Sequence, residues 1–356
     1  MNPSTSRTAG RPRLAVIFGG RSSEHQVSCL TARNVVGAID HDAYEVVTVG
    51  ITHDGRWVRD PMAWDDLPDG QLPSVDPTAP HFSWDELRDV DVAFPLLHGP
   101  WGEDGTVQGL LEMASVRYVG AGVLASSAGM DKPFTKSLFS AGGLPQVPHV
   151  TILPAQWEHE RDRAFARVRA LGLPVFVKPA RAGSSSGVTM VEDLERLDAA
   201  VEAARELDPK VIVEAAARGK RELEVGVIQQ PDGTPLASVV GEVVQQADSG
   251  HEFYDFEAKY LDGTSANVVP ADISTTVAEQ VRTYAVQAFT ALGVEGLARV
   301  DFFATDDGLV INEINTMPGF TSTSMFPVLW EASGISYAEL VDRLVQLALA
   351  RDVGLR

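Results

Sequence analysis

Cysteine is almost absent from this 356-residue sequence; Cys29 is the only one. A single thiol excludes an intramolecular disulfide framework, thiolate zinc clusters and cysteine-ligated iron–sulfur sites, and it suits a reducing compartment. Set in Val27-Ser28-Cys29-Leu30 at the start of an apolar helical pattern, it reads as a buried small side chain rather than a nucleophile. Long apolar runs are also missing, and none approaches the ~18–20 residues that span a bilayer. Residues 1–12 are polar, with Pro and Arg, and lack the apolar stretch of a secretory signal, so they read as a frayed tail. Positive charge is scarce, with 29 Lys and Arg against 49 Asp and Glu and a net charge of −20. That excess argues against general affinity for nucleic acid or anionic membrane, although a few local cations would still hold phosphate. A cytoplasmic protein without nucleic-acid or membrane partners is the expectation.

The length fits two or three domains, and 44% apolar with 22% charged residues describes an ordinary globular chain. An apolar run over 13–18, a helical pattern near 24–39 and a second run over 44–51 suggest a parallel α/β sheet. Residues 54–80, rich in Asp, Pro and Trp, read as an excursion from that sheet. A strand over 90–97, a helix near 105–115 and residues 117–122 complete a first domain over 13–122. A central domain over 123–214 holds a strand ending at Lys178 and a helix over 193–207. The final domain, 215–356, is built on two hairpins, 222–229 with 236–244 and 298–303 with 309–315. The second turn carries Asp307-Gly308, a strong hairpin signal. Helices near 275–292 and 336–351 are expected to cover this last sheet.

The chemistry concentrates in a few segments. Alternation along a strand projects Arg299 and Asp301 to one face, and Glu313 and Asn315 to one face of the partner strand. Two carboxylates and an amide, without His or Cys, suit a hard cation such as Mg²⁺ more than they suit a solvated hairpin face. Lys178 closes an apolar strand and needs an anionic partner. Gly183-Ser184-Ser185-Ser186-Gly187 follows, small enough for backbone N–H groups to approach phosphate, although the Gly-Lys-Ser/Thr ending of a Walker A loop is missing. Gly19-Gly20-Arg21-Ser22-Ser23-Glu24-His25 stands where a dinucleotide fingerprint would lie, but its glycine spacing is wrong for one. Taken alone, that segment reads as helix capping by Ser22 or Ser23 with Glu24. His98-Gly99-Pro100-Trp101-Gly102-Glu103-Asp104-Gly105 follows another strand, and a capped turn explains Asp104 and the glycines but not His98.

In order, these segments together with 254–260 (Tyr-Asp-Phe-Glu-Ala-Lys-Tyr) and 312–321 (Asn-Glu-Ile-Asn-Thr-Met-Pro-Gly-Phe-Thr) resemble the D-alanine–D-alanine ligase family of the ATP-grasp superfamily. The resemblance runs from about residue 13 to the end. It implies an α/β fold in which an N-terminal parallel α/β domain precedes two ATP-grasp domains. ATP would lie between those two, contacted at its phosphates by Lys132, Lys178 and Lys259 with Ser185 and Ser186. Glu214, Ala215 and Ala217 would meet adenine, and Glu222 the ribose, with Glu224 as the alternative because residues 218–222 run one residue longer than is common. Asp301, Glu313 and Asn315 would hold two Mg²⁺ ions, for which Mn²⁺ could substitute. Glu24 would accept the ammonium of a first D-alanine, in a hydrogen-bonded trio with Ser184 and Tyr260 that closes a mobile loop over 245–266, with His98 beside them. Arg299, the Gly319 backbone N–H and Ser324 would orient a second D-alanine. Met325 stands where the family often has Leu, a volume-conserving difference. A homodimer is also implied. Rival readings are a ligase joining D-alanine to D-lactate or D-serine, and a nucleotide-binding scaffold without catalysis.

Overall fold

The computed structural model describes residues 10–64, 71–245 and 265–354. Strand β1 (Arg13–Gly19) leads through helix α1 (His25–Ala38) to β2 (Glu45–Ile51) and the short β3 (Trp57–Arg59). Strand β4 (Val92–Pro95), helix α2 (Thr106–Met113) and β5 (Arg117–Tyr118) complete a sheet of order β3-β2-β1-β4-β5. Its strands are parallel except β3, which the excursion after β2 contributes as an antiparallel edge. Both faces of β1 are covered. Leu14, Val16 and Phe18 join one cluster, which includes Cys29 and Val35 of α1, while Ala15 and Ile17 join another with Leu111 of α2. Burial on both sides is why the run is continuously apolar.

Helices α3 (Val123–Met130) and α4 (Lys132–Ala141) follow. Asp131 caps α4 by accepting the Phe134 N–H, and Pro133 occupies the first turn. Four residues apart, Lys132 and Lys136 share one face of that helix. Next come β6 (His149–Ile152), α5 (Pro154–His159), α6 (Arg161–Arg169), β7 (Val175–Pro179), β8 (Thr189–Val191), α7 (Leu197–Leu207) and β9 (Val211–Ala215). Their strands form an antiparallel sheet ordered β6-β9-β7-β8. Val175 and Val177 pack with Trp157 and Val201, so alternation turns Phe176 and Lys178 to the opposite face. Across the ladder Phe176 pairs with Glu214 and Lys178 with Ile212.

The third sheet, β12-β11-β10-β13-β14, is antiparallel throughout. It comprises β10 (Arg221–Gln229), β11 (Pro235–Gln245), β12 (Ser265–Val268) and, after helix α8 (Thr275–Ala291), β13 (Leu297–Thr305) and β14 (Gly308–Asn315). Val225, Val300 and Phe302 pack with Ala285 and Phe289 of α8, which leaves Glu224, Arg299 and Asp301 on the other face. Helix α9 (Met325–Ala332) packs against β10 and β11.

The last helix, α10 (Tyr337–Leu349), does not cover this sheet, contrary to expectation. Its Leu340, Leu344 and Val345 enter the core of the first sheet beside Leu14, Val16 and Phe94. An apolar stripe records that a helix needs a partner without specifying which sheet supplies it. Among the described residues no helix is long and apolar enough to cross a membrane.

Candidate active site

A cavity of about 580 Å³ opens between the three sheets. Of the candidate residues, Glu24, His98, Lys132, Lys178, Ser184, Ser185, Ser186, Glu214, Ala215, Ala217 and Glu222 line it, as do Arg299, Asp301, Glu313, Asn315, Gly319, Ser324 and Met325. Lys259 and Tyr260 lie outside the described residues.

One end is built where β1 and β4 deliver their loops. Glu24 precedes α1, but its side chain makes no capping bond to that helix, which corrects the capping reading. Instead Ser22 Oγ accepts the Glu24 N–H at 3.2 Å and donates to the His98 carbonyl at 2.7 Å. The freed Glu24 carboxylate accepts the Ser184 hydroxyl at 2.5 Å. Gly99 and Gly183 allow that placement, since a Cβ on either would stand 2.8 or 3.0 Å from Glu24 Oε2. Ser184 and Ser185 take left-handed φ of 48° and 56°, and the loop closes through the Ser186 N–H donating to the Gly183 carbonyl at 3.0 Å. Such conformations cost non-glycine residues energy and often mark ligand-holding loops.

His98 is buried, with Nε2 3.2 Å from Thr31 Oγ1. Burial lowers its pKa, against the opposing pull of Glu24. Glu103, which sequence reasoning did not select, accepts the Gly99 N–H at 2.6 Å, and its Oε1 lies 4.0 Å from His98 Nδ1. Burial first, and then the Glu24 charge, push the Glu103 carboxyl up to about 8. Cys29 is buried, and burial raises its thiol pKa, which leaves an inert core side chain.

On the side of the cavity formed by the second sheet, Glu214 of β9 is held by two lysines. Lys178 Nζ lies 2.5 Å from Oε2 and Lys136 Nζ 2.7 Å from Oε1. Burial alone would raise the Glu214 pKa, but the two ammonium groups hold it below the usual carboxylate range. The anionic partner that Lys178 required is therefore Glu214. Burial opposes the charge on Lys178, yet Glu214 raises its pKa above the ordinary value. Lys132 donates to the Ala182 carbonyl at 2.6 Å, and burial lowers its pKa. Sequence reasoning missed Lys136; its spacing of four from Lys132 was the available signal.

The acidic face of the cavity lies on the third sheet. Arg299 pairs with Asn315 and Asp301 with Glu313, the register expected from alternation across the Asp307-Gly308 turn. Arg299 grips Asp301 with Nε and a terminal nitrogen, both at 2.7 Å, and Asn315 Nδ2 donates to Asp301 Oδ2 at 3.0 Å. Glu224 pairs with Asp301 across the β10–β13 ladder and reaches Arg299 Nε at 2.9 Å. Burial disfavours the Arg299 charge, but Asp301 and Glu224 more than offset this and raise its pKa well above the ordinary value. Glu222 lies two residues away on the same strand face, its Oε1 2.6 Å from Lys220 Nζ. Ser324 Oγ accepts the Thr321 N–H at 3.1 Å at the start of α9.

Comparison with known proteins agrees with this architecture. Residues 13–121 match the family described as D-ala D-ala ligase N-terminus, and residues 138–346 that described as D-ala D-ala ligase C-terminus. The D-alanine–D-alanine ligase of Kineococcus radiotolerans is 52% identical, covering 97% of this chain and 99% of its own length. That of Nocardia farcinica is 53% identical over 97% and 99%. Among solved structures, VanG D-Ala:D-Ser ligase from Enterococcus faecalis is 33% identical with a TM-score of 0.79, covering 95% of this chain and 100% of that one. The D-alanine–D-alanine ligase from Coxiella burnetii is 31% identical with a TM-score of 0.75, covering 95% and 94%. On this sequence and fold, the chain belongs to the D-alanine–D-alanine ligase family, built on the ATP-grasp plan.

Proposed function

We propose that this chain joins two D-alanines to D-alanyl-D-alanine at the expense of ATP, for cell wall synthesis, and that the cavity described above is where it does so. The observation that supports this most is the convergence of Glu24 with Ser184, the lysines, and the Arg299–Asp301–Glu313–Asn315 face on one cavity.

A carboxylate is a poor acyl donor, so the first D-alanine is activated by transfer of the γ-phosphoryl group to its carboxylate. Glu24 receives its ammonium, with His98 alongside. Lys132 and Lys178, assisted by Ser185 and Ser186, neutralise the nucleotide's phosphates during the transfer. Glu214, Ala215 and Ala217 meet adenine, and Glu222 the ribose. The Gly319 N–H and Ser324 orient the second D-alanine, with Met325 beside it. Its amine attacks the acyl carbon, Arg299 stabilises the tetrahedral oxyanion, and phosphate departs.

Asp301, Glu313 and Asn315 fit Mg²⁺ through oxygen donors alone, and Mn²⁺ has the same preference. Two ions bound there would supply Lewis-acid neutralisation of the transferring phosphoryl oxygens. Arg299 is shared between Asp301 and Glu224 and would keep Glu224 as a partner if Asp301 held a cation. We further propose the three-domain division 13–122, 123–214 and 215–356, a homodimer, and a cytoplasmic location.

Phosphate release with ATP and D-alanine alone tests the reading, against D-alanine with D-lactate or D-serine at varied pH. Release with D-alanine alone is expected, and its absence would overturn the assignment. The likeness to a D-Ala:D-Ser ligase structure makes D-serine the informative competitor.

A further inference from the structure

Glu214 has more cation than its single charge requires. Lys136 and Lys178 each take one of its oxygens, at 2.7 and 2.5 Å. One ammonium would suffice to offset a buried carboxylate, and the second adds the cost of removing another charge from water. The two lysines differ in setting. Lys178 is 15% exposed on the face of β7 that lines the cavity, while Lys136 is 2% exposed on α4, whose Phe139 is locked into the core beneath α8. A nucleotide entering the cavity competes for the donors of Lys178. If Lys178 were the only partner of Glu214, each binding event would leave a buried carboxylate without compensation.

We infer that Lys136 is a positioning residue of the nucleotide site: it holds Oε1 of Glu214 so that this carboxylate stays fixed as acceptor for the exocyclic amino group of adenine while Lys178 turns its donors to the phosphates. This rests on the placement of adenine beside Glu214 proposed above. Lys136 also borders the cavity, but the role inferred for it is exerted through Glu214 and not on the reacting atoms.

The test is calorimetric binding of Mg-ATP and Mg-inosine triphosphate, which carries a carbonyl oxygen in place of the amino group, to the full chain without D-alanine. The unsubstituted protein is expected to bind ATP about tenfold more tightly, the effect of one hydrogen bond to a charged acceptor. Lys136→Met should weaken ATP about tenfold and bring the ratio of the two affinities toward one, and Lys136→Arg should restore it. Should the Met variant fail to fold, Lys136→Gln, which is uncharged and too short to reach Oε1 as lysine does, should show the same fall in ratio. An unchanged ratio in Lys136→Met or Lys136→Gln overturns the role of Lys136 alone. Equal binding of both nucleotides by the unsubstituted protein overturns the adenine placement, and the inference with it.

Discussion

The Ser184 hydroxyl donates to Oε1 of Glu24 at 2.5 Å, across 160 residues of sequence, and so ties the serine loop after β7 to the loop after β1. A hydrogen bond to a charged acceptor contributes about 1.5–3 kcal/mol, and Glu24 is the proposed seat of the first D-alanine's ammonium. Ser184→Ala should therefore raise KM for D-alanine at the first site about tenfold or more at saturating ATP, with KM for ATP changed less. Steady-state kinetics with each substrate varied in turn reads the split. An equal loss for both substrates would mean that Ser184 serves only the loop's shape.

Arg299 is held between Asp301 and Glu224. Lysine cannot reproduce a grip with two nitrogens on one carboxylate. Arg299→Lys is expected to lower kcat about 10²–10³-fold, the usual cost of losing an oxyanion donor. Glu224→Gln, which loosens the guanidinium without removing it, should lower kcat about tenfold. Because both changes act on one group, the double variant should be little worse than Arg299→Lys alone; additive effects would separate Glu224 from Arg299.

The cation proposal makes its own prediction. Glu313→Gln removes one of two carboxylates from the Asp301–Glu313–Asn315 set, so the Mg²⁺ concentration for half-maximal activity should rise about tenfold. Removing divalent cations with a chelator should stop phosphate release, and Mg²⁺ or Mn²⁺ should restore it. An unchanged Mg²⁺ requirement in the variant would place the cations elsewhere.

Glu103 sets a pH dependence of stability. Burial and the Glu24 charge raise its pKa from an ordinary 4.5 to about 8 in the folded chain. Between those values the folded state holds a proton that the unfolded state has released, so stability falls as pH rises from about 4.5 to about 8. Glu103→Gln imitates the protonated form and can still accept the Gly99 N–H. The melting temperature of the unsubstituted chain should fall more steeply over that window than that of the variant. Parallel melting curves in pH would show that Glu103 does not titrate there.

What could be read from the sequence was mostly local. The Arg299/Asn315 and Asp301/Glu313 pairs follow from period-two alternation and an Asp-Gly turn, both set within a few residues. The partner of Lys178 was legible only as a type: an anion had to exist, and its identity as Glu214 needed the β7–β9 ladder. Glu103 and Lys136 were missed, and Glu224 was considered for the ribose but not as a partner of Arg299, because each matters through a contact made by another element, and their own neighbours in sequence look like a turn, an ordinary helix face and a strand. Helix α9 escaped notice because it is eight residues long with Pro327 in its first turn, too short for a periodic signal.

The destination of α10 was the larger omission, and it has a measurable consequence. Leu340 and Leu344 are almost fully buried with Leu14, Val16 and Phe94, and the Tyr44 hydroxyl donates to Asp342 Oδ1 at 2.5 Å. The C-terminal helix is therefore part of the first sheet's core, more than 200 residues from β5 in sequence. Leu344→Ala leaves a cavity there and should cost about 2–5 kcal/mol, while Tyr44→Phe, which removes only a hydroxyl, should cost about 0.5–1.5 kcal/mol. If stability is distributed by contact rather than by sequence position, Leu344→Ala should speed amide exchange in β1 and β4 far more than in β10 and β13. Faster exchange confined to β10–β14 would instead assign α10 to the sheet that precedes it in the chain.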